Sequence, residues 1–335
     1  MALREEFEFS VETDAVGETR AWTAPEVAAR AQSLIAEVET AIVGKRDTVR
    51  RAVISLICKG HILLEDIPGV GKTTLAKALA RAIGGEFRRV QFTPDLLPAD
   101  VTGSAVFNQR TSEFEFRAGP IFGNVILADE INRATPKTQS SLLEAMEEGQ
   151  VTVDGETRML PDPFFVVATQ NNLEMTGTYP LPEAQMDRFF TRLSLGYPDR
   201  AGEIDVLSQQ QTAKPLDRVR TVVSLADLRA MQIAVREVFV SDKMRGYIVD
   251  VVRATRESNQ LLMGASPRGS LHLMRASQAA ALLEGETHVS GNHVKQMAVS
   301  VLAHRVIGRS ELKSKGVTPE FVVERILETV PVPIG

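Results

Sequence analysis

Apolar residues fall into two kinds of run along this chain. From Ala24 to about Val43 they recur at helical spacing (Val27, Ala28, Ala31, Leu34, Ile35, Val38, Ile42) behind Thr23, a suitable N-cap, which predicts an amphipathic helix. A second helix is predicted from about Arg46 to Lys59, and Gly60 then leads into His61-Ile62-Leu63-Leu64-Glu65, whose unbroken apolarity reads as a buried strand. Thereafter the two patterns alternate. Helices are predicted over 72–83, closed by Gly84-Gly85, and over 138–148; strands are predicted over 87–92, 125–128 and 164–169. Such alternation specifies an α/β fold, a parallel sheet covered by helices. Two stretches interrupt it: 104–117, alternating and Phe-rich, and 150–159, whose Asp154-Gly155 is a hairpin turn signal. After Gly196-Tyr197-Pro198 only helical patterns remain, over about 200–211, 224–239, 242–258, 268–283, 288–304 and 318–329. The expected organisation is therefore a leader over 1–22, an α/β domain over 23–198 and a small all-α domain over 199–335.

Composition changes this picture little. The chain has 335 residues, 44% apolar and 24% charged, close to a soluble globular average. The net charge of −5 resides in the leader: residues 1–40 hold nine acidic and three basic side chains, which suggests a mobile, solvated segment, and the body is nearly balanced. A duplex-binding surface has no support from that balance. The single cysteine, Cys58, excludes a disulfide framework or a Cys-based zinc cluster and reads as a buried, inert thiol. The first residues lack the pattern of a secretory signal, and no apolar run approaches the length of a membrane span, so a cytoplasmic protein without membrane insertion is expected.

The chemistry concentrates at strand ends. Asp66-Ile67-Pro68-Gly69-Val70-Gly71-Lys72-Thr73-Thr74 lies between a predicted strand and a predicted helix, as a phosphate-binding loop requires. Gly69 and Gly71 let backbone N–H groups close around phosphates, Lys72 supplies a point charge, and Thr73 offers a hydroxyl to Mg²⁺. Asp66 stands where the general pattern has glycine. Asp129-Glu130 ends the strand over 125–128, placing two carboxylates at the same sheet edge: one for the metal, one to orient and deprotonate water. Asn171 and Asn172 follow the strand over 164–169 and are read either as water-positioning amides or as turn asparagines. Arg188 and Arg268 are single arginines that could stabilise phosphate charge or serve as surface ion-pair residues.

Taken together, these motifs resemble the AAA+ ATPases, and most closely the MoxR family, from about Ile42 to the C-terminus. The specific blocks are His61 to Thr73, Gln91-Phe92-Thr93-Pro94-Asp95-Leu96-Leu97-Pro98, Asp129 to Ala134, Leu143 to Glu148 and Glu183 to Phe189. MoxR proteins share the aspartate at the first loop position. The resemblance implies an αβα P-loop domain carrying a helix-2 insert (104–117) and a hairpin before sensor 1 (150–159), followed by a helical lid. It makes Pro68 to Thr74 the phosphate loop, Val43 and Gly44 the segment against adenine, Thr73 and Asp129 the Mg²⁺ residues, Glu130 and Asn171 catalytic, Arg268 sensor 2 and Arg188 an arginine finger acting on a neighbouring subunit's ATP. Arg133 is either a second interfacial arginine or a surface salt bridge.

The family further implies ATP/ADP and Mg²⁺ as ligands and a ring, usually of six subunits. Its work is chaperone-like remodelling of client proteins, including metal-cofactor loading, with a von Willebrand factor A domain partner. Rival expectations are the motor subunit of a metal chelatase, a DNA-acting motor and a nucleotide-switched scaffold. The hairpin over 150–159 carries one arginine against two carboxylates, which speaks against nucleic acid.

Overall fold

The computed structural model describes residues 22–171, 177–212, 215–313 and 316–333, so the leader apart from Trp22, and Asn172, lie outside the described residues. Helices α1 (Ala24–Glu39) and α2 (Arg46–Ile57) precede β1 (Ile62–Glu65), α3 (Lys72–Ala82) and β2 (Phe87–Gln91). A short α4 (Pro98–Thr102) opens the hairpin β3 (Gly103–Asn108) and β4 (Glu113–Ala118). Then come β5 (Val125–Asp129), α5 (Pro136–Glu148), the hairpin β6 (Gln150–Val153) and β7 (Glu156–Met159), β8 (Phe165–Gln170), α6 (Glu183–Met186) and β9 (Thr191–Leu193). The remainder comprises α7 (Arg200–Thr212), α8 (Pro215–Arg218), α9 (Leu225–Glu237), α10 (Asp242–Glu257), β10 (Leu261–Met263), α11 (Pro267–Leu283), α12 (Gly291–Leu302), β11 (Ile307–Gly308), α13 (Ser310–Lys313) and α14 (Pro319–Thr329).

The main sheet is parallel throughout, in the order β2-β5-β8-β1-β9. Its unbroken apolar strands face two cores. Ile62 and Leu64 of β1 and Val125 and Leu127 of β5 point into one core with α1, α2, α3 and the later helices; Leu63, Ile126 and Ala128 point into the other with Phe92, Leu142, Leu143 and Phe189. A strand buried on both faces has no polar alternation to display, hence the continuous runs. Burial of each large side chain contributes roughly 1.5–3 kcal/mol, which fixes strand register across the sheet. The first core continues through Ala276, Ala279 and Ala280 of α11 to Val294 and Met297 of α12, joining the sheet to the lid helices.

Two features differ from the sequence expectation. β9 pairs with β1 at the sheet edge, Ile62 opposite Thr191 and Leu64 opposite Leu193; its three residues with Arg192 in the middle carry no strand signal. The helical region also holds an antiparallel ribbon, β10 with β11, whose partners are remote in sequence.

Buried histidines pin the layers. His61 Nδ1 accepts from the Val166 N–H (3.0 Å), so its proton is on Nε2, which donates to the Met146 carbonyl (3.0 Å). Burial pulls its pKa down to about 4. His304 is likewise depressed by burial and by the Arg305 charge. An unfolded histidine takes its proton near pH 6.5 and the folded His61 only near 4, so acidification below 6.5 favours the unfolded state by about 1.4 kcal/mol per pH unit for each such group. Thermal melts should therefore give a lower Tm at pH 5.5 than at pH 7.5; an equal or higher Tm at pH 5.5 contradicts this assignment.

Candidate functional site

The phosphate loop leaves the C-terminal end of β1 and enters α3. Gly69 (φ +84°) and Gly71 (φ +100°) occupy left-handed backbone; a Cβ at Gly69 would meet nothing within 4 Å, so conformation rather than space requires glycine there. Lys72 Nζ donates to the Asp66 carbonyl (2.7 Å). Burial lowers the Lys72 pKa, opposed by the charges of Asp66, Asp129 and Glu130. The Asp66 side chain explains its departure from the general pattern. Oδ2 accepts from Ser194 Oγ (3.1 Å), Leu195 N and Gly196 N (3.0 Å), tying the loop to the segment that leads into α7. Glycine could make none of these bonds.

The acid pair sits where β5 ends beside β2 and β8. Thr169 Oγ1, on β8, donates to Asp129 Oδ1 (2.6 Å) and accepts from the Glu130 N–H (2.8 Å), so one hydroxyl orients both acids. Arg89 donates to Asp129 Oδ2 from β2. Glu130 adopts left-handed backbone (φ +57°), which turns its side chain out of the strand's alternation at a cost of about 1 kcal/mol. Its Oε2 accepts from Gln91 Nε2 (3.0 Å) and Arg133 Nη1 (3.1 Å). Arg133 thus makes a local salt bridge, with both partners substantially exposed.

These residues converge. Pro68, Gly69, Gly71, Lys72, Thr73, Thr74, Asp129, Glu130 and the buried Asn171 line one cavity of about 340 Å³. A larger cavity of about 730 Å³ adjoins it through Pro68, Gly69, Gly71 and Thr74, and is walled by Ile42, Val43, Val70, Tyr197, Pro198 and Leu216. Gly44 (φ +72°) makes the turn beside Val43 without lining the cavity. The pair offers a polar compartment, with Lys72 and the two carboxylates, next to a largely apolar one, a division that suits the phosphates and the base of a nucleotide.

Arg188 and Arg268 lie elsewhere. Arg188 Nε meets Glu147 Oε2 (3.2 Å) and Arg268 Nη2 donates to Glu147 Oε1, so one carboxylate holds both guanidiniums. Both arginines border a third cavity, of about 260 Å³, with Lys59, His61 and Glu147. Arg188 precedes β9, which runs parallel to β1, so it lies at the edge of the sheet opposite the phosphate loop. The start of α11 faces the last turn of α5, which places Arg268 beside Arg188 and outside the cavity lined by Lys72. Cys58, at the same cavity, is half-buried; its Sγ donates to the Arg275 carbonyl (3.4 Å), and burial pushes the thiol far up.

Sequence reasoning missed Thr169, Arg89 and Glu147. Strand alternation could have found the first two: Gln91 is registered against Asp129, and Thr169 is two residues before Asn171 at the same edge. Glu147 lies within the block from Leu143 to Glu148, but no local pattern indicates that it meets Arg188 and Arg268, because those contacts are made by tertiary packing.

Fold and site define a P-loop ATPase-type domain with a helical lid. The comparisons agree: residues 61–191 match the family model "ATPase family associated with various cellular activities (AAA)", and residues 253–326 match the AAA lid domain. The chain is 50% identical over 300 residues to the uncharacterized protein YeaC of Bacillus subtilis, covering 90% of this chain and 94% of that one. It is 41% identical to Chaperone MoxR1 of Mycobacterium tuberculosis (89% and 81% covered). A crystal structure of a candidate ATPase from Cytophaga hutchinsonii superposes with a TM-score of 0.86 at 37% identity, over 93% of this chain and 97% of that one. The chain belongs to the MoxR family of AAA+ ATPases.

Thr169→Val keeps the side-chain volume and removes both bonds to the acid pair. Urea unfolding should show a loss of about 1–2 kcal/mol from the orphaned Glu130 N–H. ATP turnover should fall about tenfold or more with nucleotide affinity nearly unchanged. Wild-type turnover in the valine variant would remove Thr169 from the site.

Proposed function

We propose that the protein hydrolyses ATP with Mg²⁺ in a ring of identical subunits, six being the expected number, and uses the cycle to remodel client proteins or complexes. The observation that carries this reading is the separation of the two half-sites: the phosphate cavity at one edge of the sheet, the Arg188–Arg268 pair at the other. Each subunit then supplies both halves, to different nucleotides. Two guanidiniums on one carboxylate leave net positive charge at that edge, suited to a neighbour's γ-phosphate.

The hydroxyl of Thr73 and the carboxylate of Asp129 are hard oxygen donors on one cavity, a donor set that fits Mg²⁺. Bound there, the ion would supply charge neutralisation to the triphosphate. Lys72 holds the phosphate oxygens as a point charge, while Val43 and Val70 stand against the base and Gly44 turns the chain beside them. Asn171 positions the water. Glu130 accepts its proton as the oxygen–phosphorus bond forms and the bond to the β-phosphate oxygen breaks, releasing ADP and phosphate. Arg188 and Arg268 of the adjacent subunit stabilise the charge that develops.

The working surface is assigned to the hairpins. β3–β4 exposes Phe107 and the 73%-exposed Phe114 in an edge-to-face pair, and β6–β7 exposes Met159. Apolar side chains held in solvent suit a protein client, with metal-cofactor loading and a von Willebrand factor A domain partner following from the MoxR relationship. The one arginine of β6–β7, Arg158, is paired with Glu156 and lies over the Phe116 ring at 4.0 Å, which disfavours a DNA-tracking role. Among the described residues no helix is long and apolar enough to cross a membrane, in keeping with the proposed cytoplasmic site of action.

Glu130→Gln should bind ATP and not hydrolyse it, and Arg188→Ala should do the same. Mixing these two inactive proteins should restore phosphate release, because some interfaces then pair an intact acid with an intact arginine. Demonstrated mixed assembly without recovery would overturn the assignment of Arg188.

A further inference from the structure

Arg305, in the short helical turn after α12, has a side chain only 1% exposed. Burying a guanidinium is costly unless its donors are matched; Nη1 also reaches the Val301 carbonyl and His304 Nε2, but every nitrogen of the group has a partner in the 187–190 segment. Nε donates to Asp187 Oδ1 (2.8 Å), Nη2 to the carbonyls of Asp187 (3.1 Å) and Phe189, and Nη1 to the carbonyl of Phe190 (3.2 Å). Those residues flank Arg188 on both sides. The second oxygen of Asp187 accepts from Ser266 Oγ (3.0 Å), and Ser266 is the N-cap of α11, two residues before Arg268.

The surroundings keep this clamp polarised. His272 Nδ1 accepts from Arg305 Nη2, and burial, then the charges of Arg305 and Arg268, press its pKa down to about 3, so it stays a neutral acceptor. Burial lowers Arg305 itself to about 10, with Asp187 opposing, so it stays charged at neutral pH.

We propose that Arg305 is a positioning residue for the neighbour-directed arginines: with Asp187 and Ser266 it locks the 187–190 segment to the start of α11, so that Arg188 and Arg268 are presented as one rigid unit that moves with the lid. The proposal rests on the reading that Arg188 serves an adjacent subunit's ATP.

Arg305→Lys keeps the charge and replaces the fork by a point donor unable to span Asp187, Phe189 and Phe190. The variant should retain affinity for a non-hydrolysable ATP analogue within about threefold and lose turnover about tenfold or more. Mixed with Glu130→Gln it should recover phosphate release, since its own phosphate cavity is intact and its partner's arginines are correctly placed. A merely structural lesion would spoil both half-sites and give no recovery. Ser266→Ala, which removes one bond and leaves the core intact, should lower turnover about threefold with the same recovery, and it decides the matter alone if Arg305→Lys does not fold. Wild-type turnover in both variants overturns the proposal, as does loss without recovery while Arg188→Ala recovers. If Arg188→Ala itself fails to recover, the neighbour-directed reading falls, and the proposal with it.

Discussion

An all-parallel sheet sends every strand's C-terminal end to one edge, and this constraint organises the molecule. The phosphate loop after β1, the acids at the end of β5 and Asn171 after β8 arrive at one place because β1, β5 and β8 are adjacent and co-directional. Arg188 enters the sheet instead of leaving it, through β9, and is carried to the far edge by the same rule. The phosphate loop and the Arg188–Arg268 pair thus lie at opposite edges of the sheet, the separation on which the proposed sharing of the site between subunits rests.

Electrostatics then separates a holding function from a working one. Lys72, Asp129 and Glu130 meet around their own cavity, where Thr169, Arg89 and Gln91 fix the acids. Arg188 and Arg268 meet on Glu147, partly exposed. Behind them the buried Arg305 contributes no exposed charge and anchors backbone carbonyls. The 187–190 segment is thereby tied to the turn after α12 and to the start of α11 as well as to the sheet, through the Phe190 N–H on the His61 carbonyl.

Much of the fold was legible because its signals are local. The strands at β1, β5 and β8 announce themselves by unbroken apolarity, and the loop from Asp66 to Thr74 by spacing. β9 was not legible: it is three residues long, lies at the sheet edge, and carries Arg192, whose charge is met by Glu65 (2.9 Å) and Glu320 from distant parts of the chain. The β10–β11 ribbon fails for the same reason, its register being set by tertiary contact. At the site, Asp66 looked like a departure from a pattern until Leu195 and Gly196 were found on its carboxylate. For Arg268 the sequence left both a phosphate role, implied by the resemblance, and a surface ion pair open, and its place beside Glu147 was not legible because it depends on how α11 packs against α5.

The most direct test is a structure of the Glu130→Gln assembly with ATP and Mg²⁺. A nucleotide completed between subunits predicts closed rings in which Arg188 and Arg268 have left Glu147 and contact the γ-phosphate held by the adjacent Lys72. Loaded rings in which both arginines remain on Glu147 and no adjacent subunit touches the nucleotide would contradict it.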